Sequence, residues 1–166
     1  MRAVGRTLEV AIGTGLNLAH YPPGVRLTAV DLTPEMLAIA RRRSADVGVR
    51  VFLAEGDAQV LPFADVSFDA VVCTYAMCSV PDERAAVLEM RRVLKPGGRL
   101  ILVDHIRSSV RPIFWVQRLF ELAPTRNRDE LTRRPRDHVE AAGLTIEECD
   151  RLRAGVVERL VARRPR

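Results

Sequence analysis

Several things are scarce in this sequence, and each shortage excludes a class of protein. Cysteine occurs three times, at Cys73, Cys78 and Cys149. An odd count without a zinc-type pair argues against a disulfide scaffold or a zinc ribbon; it predicts a reducing, cytoplasmic setting and no metal site. No apolar run reaches the length of about 18 residues that a membrane-spanning helix needs. The opening residues, Met1-Arg2-Ala3-Val4-Gly5-Arg6, lack the roughly 7–15-residue apolar stretch of a secretion signal. Only eight of the 166 residues are aromatic. None of the eight sits in a base-stacking motif, so no nucleic-acid partner is expected. Lysine occurs once, at Lys95, against 25 arginines.

What is present fits one globular domain spanning 1–166: 48% hydrophobic and 28% charged residues are ordinary values. The net charge of +5 is unevenly placed. Residues 1–106 carry 12 basic and 12 acidic groups, whereas residues 107–166 carry 14 and 9. An arginine bias of composition on a solvated surface is the plainer reading. The sharper one is a basic patch for an anionic substrate, such as a phospholipid headgroup, with peripheral membrane contact.

Strand-length apolar runs alternate with helical patterns, with no internal repeat. Strands are predicted at Arg6–Val10, Arg26–Val30, Val51–Ala54, Phe68–Thr74 and Arg99–Asp104. A helix capped by Thr33, with Pro34 first, should run to about Val47 and turn Met36, Leu37, Ala40 and Val47 inward. A second helix, Asp82–Leu94, should carry Val87, Met90 and Val93 or Leu94 on its stripe and stop at Pro96-Gly97-Gly98. Pro112–Leu122 reads as amphipathic, with Trp115, Leu119 and Leu122 together. There, Trp115 with Phe114 and Phe120 reads as helix core before it reads as a lipophilic-substrate wall. Pro124–Arg134 reads as a mobile loop, and Pro135–Ala142 as a helix. Two last strands, Thr145–Leu152 and Val156–Ala162, should pair antiparallel. The pattern predicts an α/β protein with a mostly parallel sheet.

The turn Ala11-Ile12-Gly13-Thr14-Gly15 after the first strand lets a ligand approach the backbone. A dinucleotide fold wants a third glycine where this chain has Leu18. Acidic residues then recur at strand ends: Glu9, Asp31 and Asp57. In a doubly wound sheet those ends form the binding crevice. Three carboxylates there suit an ammonium, a ribose diol and an adenine amine, and repel a pyrophosphate. That pattern fits S-adenosylmethionine better than NAD or ATP.

The string Leu8-Glu9-Val10-Ala11-Ile12-Gly13-Thr14-Gly15 resembles the first motif of class I S-adenosylmethionine-dependent methyltransferases, of the methyltransferase domain 11 type. The resemblance continues in order through Val30–Leu37, Gly56-Asp57-Ala58, Phe68–Val72 and Arg92–Leu100. Cys78-Ser79-Val80-Pro81-Asp82 and Asp104-His105-Ile106-Arg107-Ser108 resemble the phosphatidylethanolamine N-methyltransferase and thiol methyltransferase branch, with quinone C-methyltransferases slightly more distant.

The resemblance implies a Rossmann-like seven-stranded sheet in the order 3-2-1-4-5-7-6, with the seventh strand antiparallel and helices on both faces. It implies methyl transfer from S-adenosylmethionine to a small, lipophilic acceptor (phospholipid amine, thiol or quinone-like), leaving S-adenosylhomocysteine. Glu9 would face the amino group, and Ala11, Gly13 and Gly15 the methionine part. Asp31 would accept the ribose hydroxyls, with Leu32 and Met36 against sugar and adenine. Asp57 and Ala58 would serve the adenine, and Thr74 and Tyr75 the transfer site. No catalytic residue is assigned; Tyr75 and His105 are the candidates.

Two departures stand out. Ala11 replaces a glycine, which narrows the pocket or strains the turn. Family members carry a helical cover before the first strand, whereas here that strand begins within about six residues of Met1; the readings are a misassigned start, a truncated sequence or a chain without its lid, and an uncovered sheet predicts an exposed apolar face and homo-oligomers through it. Two other readings remain at this stage: a binding module that holds the cofactor without turnover, and a nicotinamide oxidoreductase.

Overall fold

In the computed structural model, residues 2–108, 110–121, 134–153 and 155–166 are described. The strands are β1 (Arg6–Val10), β2 (Arg26–Asp31), β3 (Val51–Glu55), β4 (Phe68–Thr74), β5 (Leu94–His105), β6 (Thr145–Leu152) and β7 (Val157–Arg163). The helices are α1 (Pro34–Asp46), α2 (Glu83–Val93), α3 (Arg111–Glu121) and α4 (Pro135–Ala141). A single 3-10 turn, Leu18–His20, follows β1. The strands form one sheet in the order β3-β2-β1-β4-β5-β7-β6. β1 to β5 pair in parallel, and β7 pairs antiparallel with both β5 and β6. This is the expected Rossmann-like arrangement.

Alternation along the strands sends side chains to two faces. Leu8, Val10, Val71, Cys73, Leu100, Leu102 and Leu160 share one core with the α2 stripe Ala86, Val87, Met90 and Val93 and with Val139 of α4. Burying a side chain such as Leu100 contributes about 2 kcal/mol. On the other face, Leu27 and Ala29 pack against Leu37 and Ala40 of α1. One row crosses that face through Ala29, Glu9, Val72, Ile101 and Val161. Glu9 is the charged member of an otherwise apolar row.

Several expectations are corrected. Helix α2 ends at Val93, and the chain passes directly into β5, so Pro96-Gly97-Gly98 lies within a strand. Leu94 is already extended and pairs with Phe68, and the proline holds Lys95 out of the helical region. Gly97 and Gly98 exchange hydrogen bonds with Arg164. Asp82 is the N-cap of α2, its carboxylate accepting from the Ala85 amide at 2.9 Å. Thr33 occupies the N-cap of α1 without using its hydroxyl. In α1, Leu37 and Ala40 are buried, but Met36 and Val47 are exposed.

The sheet face expected to lie bare is covered. Val72, Ile101 and Val161 are buried with Ala3, and Tyr21 and Val25 pack against them. The largest correction concerns α3. Trp115, Val116 and Leu119 are 67%, 66% and 72% exposed, while Gln117 is buried. The expected helix core of Trp115 with Phe114 and Phe120 therefore does not form around Trp115. Leu122 and the predicted loop at 124–133 lie outside the described residues.

Candidate active site

The carboxyl ends of β1, β2, β4 and β5 bring most of the expected residues together. Glu9 is 1% exposed. Its Oε1 accepts from Asn17 Nδ2 at 2.7 Å, and the same amide donates to Thr74 Oγ1 at 2.7 Å. Glu9 Oε2 and the Tyr21 hydroxyl are both buried, and the two side chains face each other without closing a hydrogen bond of normal geometry. Burial pushes the Glu9 carboxyl up to about 7, against the opposing pull of Asn17 and the neighbouring Tyr21 hydroxyl. Buried polar atoms are nearly always satisfied in folded proteins. An unsatisfied carboxylate oxygen at a strand end is a place for a ligand cation or a water.

Asp31 closes the turn from the other side. Its Oδ2 accepts from the Gly13 amide at 2.7 Å and its Oδ1 from the Thr33 amide at 3.0 Å. A carboxylate has about four acceptor positions, so two remain for a diol. Gly13 has φ +55, and a Cβ there would meet nothing within 4 Å. Gly15 has φ +77, and a Cβ there would lie 2.7 Å from Leu18 and 3.3 Å from the Ala40 backbone. Gly13 thus opens toward the crevice, while Gly15 permits close packing. Ala11 adopts φ 54, and it packs against the α2-side core. Of the two expected effects of its methyl group, the structure shows the strained turn. Leu32 and Met36 are exposed beyond Asp31.

Asp57 lies after β3 and is held by Gln59, whose backbone and side-chain amides donate to it at 2.8 and 3.0 Å. Gln59 Oε1 in turn accepts from the Asp82 amide. Ala58 is half-buried against the core. Across the crevice, Tyr75 has φ 52, and its ring lies 5.0 Å from the His105 ring. Two non-glycine residues with positive φ, Ala11 and Tyr75, therefore border one crevice. Such strain gathers at binding sites and costs about 1–3 kcal/mol per residue.

Sequence reasoning missed Asn17, Tyr21 and Gln59, which no periodicity marks, and the role of Asp104. Asp104 is buried and accepts from the Ala76, Met77 and His105 amides at 2.9, 2.6 and 2.7 Å. Burial raises its pKa, and those three amides pull it down. An acid ending an apolar strand was the available signal. Ligand atoms of Cys78, Asp104 and His105 lie within 4.8 Å of one another. Asp104 spends three acceptor positions on amides, two of them in the loop after β4, which it thereby anchors. Cys73 and Cys78 are buried. A cleft of about 740 Å³ opens beyond His105, between α3, α4 and the last strands. Arg107, Arg134, Arg136 and Arg151 line it with Asp137, Glu140 and Glu158.

A nicotinamide site loses its footing here. Leu18 is buried, and it begins a three-residue turn rather than a long helix aimed at a pyrophosphate.

Comparison with known proteins agrees with this geometry. The chain is 38% identical over 116 residues to a phosphatidylethanolamine N-methyltransferase of Cereibacter sphaeroides, covering 69% of this chain and 57% of that one. It is 42% identical over 106 residues to a demethylmenaquinone methyltransferase of Thermus thermophilus, covering 62% and 48%. It is 38% identical over 117 residues to a human thiol S-methyltransferase, covering 66% and 47%. The chain spans about half the length of these relatives. In fold it is similar to an S-adenosylmethionine-dependent methyltransferase of Methanosarcina mazei, with TM-score 0.78 and 21% identity over 99% of this chain and 94% of that one. No helix among the described residues is long and apolar enough to cross a membrane. A methyltransferase domain model matches residues 8–102, and the chain belongs to that family.

Proposed function

We propose that this chain binds S-adenosylmethionine in the β1–β4 crevice and transfers its methyl group to a small, lipophilic acceptor. A phospholipid amine, a thiol or a quinone-like ring are the acceptor classes that the names of its relatives support. The buried, unpaired Glu9 Oε2 carries the reading, because it lies one hydrogen-bond step, through Asn17, from Thr74 at the end of β4.

The residues present fit the cofactor. Glu9 would take its ammonium, directly or through water. Asp31 would take the ribose diol with the lone pairs that Gly13 and Thr33 leave free, with Leu32 and Met36 beside it. Asp57 and Ala58 would serve the adenine. The bound cofactor supplies a sulfonium methyl already activated for displacement. The protein's part is then in-line positioning and exclusion of water. Tyr75 and His105 border the acceptor side, and Asp104 holds the loop that positions Tyr75. An amine needs only to lose a proton before attack, whereas a thiol must reach the thiolate.

Thermal unfolding with and without S-adenosylhomocysteine tests the site. At a hundred times its Kd, a ligand of the native state adds about 2.7 kcal/mol. For a chain of this size that is a Tm rise of roughly 5–10 °C. A rise with S-adenosylhomocysteine and none with NADH is expected. No shift at millimolar ligand refutes the proposal. Transfer of labelled methyl to a panel of amine, thiol and quinone acceptors then separates turnover from binding alone.

A further inference from the structure

Helix α3 carries apolar residues on two faces, with Ile113 and Phe114 half-buried beside Gln117 and a second apolar group facing outward. Its polar Gln117 points inward, donating to the Ile106 carbonyl at 2.9 Å and accepting from the Ser108 amide at 2.9 Å. Its apolar Trp115, Val116 and Leu119 point outward, each about two-thirds exposed or more. A surface helix normally buries its apolar stripe. Here two buried hydrogen bonds fix the rotation, so the exposed stripe is built into the fold.

We infer that α3 docks on an anionic lipid surface, with Trp115, Val116 and Leu119 entering the headgroup region. Two further features favour this occupant. The whole net charge of +5 lies in residues 107–166, the segment that includes α3. Arg107 is held over the Phe114 ring at 4.3 Å, beside a cleft in which Arg134, Arg136 and Arg151 pair with Asp137, Glu140 and Glu158, so that Arg107 is its excess positive charge. An apolar stripe with a tryptophan and adjoining arginines is the pattern of an interfacial helix. The 11 residues of α3 are about half of what spans a bilayer, so the helix lies in the interface rather than across it. A second copy is the alternative occupant, which a dependence of the signal on protein concentration would reveal. The docking itself does not depend on methyl transfer. If the proposed function also holds, it would place the Tyr75–His105 side of the crevice near acceptors dissolved in the membrane.

Trp115 is the single tryptophan of the chain, so its emission reports this surface directly. The experiment titrates the whole chain with vesicles of phosphatidylcholine alone and of phosphatidylcholine with phosphatidylglycerol at 7:3. It records emission and co-sedimentation at low and high salt. The expected result is a blue shift and co-sedimentation with the anionic vesicles, both weakened by salt. The variant Val116→Ser with Leu119→Ser keeps the reporter and should weaken vesicle binding by more than about tenfold. Its thermal unfolding and its S-adenosylhomocysteine response should be unchanged, which separates this inference from the cofactor reading. Absence of both signals with anionic vesicles overturns the proposal. Equal binding to neutral vesicles overturns the role of charge. A blue shift that follows protein concentration without lipid assigns the stripe to a second copy instead.

Discussion

The Gly13 amide donates to Asp31 Oδ2 at 2.7 Å. This bond joins the glycine turn after β1 to the acid ending β2, so one side chain both shapes the turn and faces the crevice. Removing it should therefore affect stability and binding together. Asp31→Ala is expected to lose about 2 kcal/mol of stability from unmet amides and at least tenfold in S-adenosylhomocysteine affinity. Asp31→Asn keeps one acceptor oxygen and should recover most of the stability but not the affinity. Calorimetric titration alongside thermal unfolding checks the split. Unchanged affinity in both variants would remove Asp31 from the site.

The two glycines of that turn should separate stability from binding. Gly13→Ala places a methyl in open space at φ +55. It should cost about 1–2 kcal/mol of backbone strain and weaken cofactor binding, since the methyl group projects toward the crevice. Gly15→Ala drives a methyl to 2.7 Å from Leu18 and 3.3 Å from Ala40. Its cost should fall mainly on stability, about 3 kcal/mol from strain and overpacking. Urea unfolding and ligand titration of the pair would decide the assignment. If the two variants behave alike, the distinction fails.

Glu9 gives a pH prediction. Its carboxyl is pushed from 4.5 up to about 7 by burial. A raised acid stabilises the fold in its protonated form. That contribution is full below pH 4.5 and is lost as pH rises through about 7. The magnitude is about 3 kcal/mol. A ligand ammonium favours the ionised form, so S-adenosylhomocysteine affinity should rise as pH climbs through 7. Glu9→Gln should flatten both profiles. A parent chain whose affinity is level between pH 5 and 8 would count against Glu9 as the ammonium partner.

Asp104 should behave as a positioning residue. Asp104→Ala leaves the amides of Ala76, Met77 and His105 without their acceptor. A loss of about 3 kcal/mol is expected. In the folded fraction, the KM for a methyl acceptor should rise more than the KM for S-adenosylmethionine, because the disturbed loop carries Tyr75. Equal changes in the two constants would show a general loss of structure instead.

Much of this was legible in the residues. The alternation in Leu8-Glu9-Val10 and the almost wholly apolar run of β4, broken by Asp69, announced a buried parallel strand pair. The placement of Asp31 and Asp57 after apolar runs announced a crevice at strand ends. Legibility failed where two segments distant in sequence compete for one residue. Leu94 reads as the last helical residue, but pairing with Phe68 draws it into β5. Met36 and Val47 fit the helical stripe, but β2 and β3 offer α1 room for Leu37 and Ala40 only. Asn17, Tyr21 and Gln59 carry no local pattern, since each matters only through a partner brought to it by folding.

The sequence by itself determined the strand and helix order, the family motifs and the acidic strand ends, because these rest on local periodicity and short-range turn chemistry. Only the tertiary structure decided which carboxylates are satisfied and which face of α3 is outward. Glu9 became a buried acid with one oxygen left over because its row across the sheet is otherwise apolar. Trp115 became a surface residue because Gln117 found two backbone partners at the end of β5. Both outcomes depend on desolvation and hydrogen bonding between segments far apart in the chain, which no window of sequence contains.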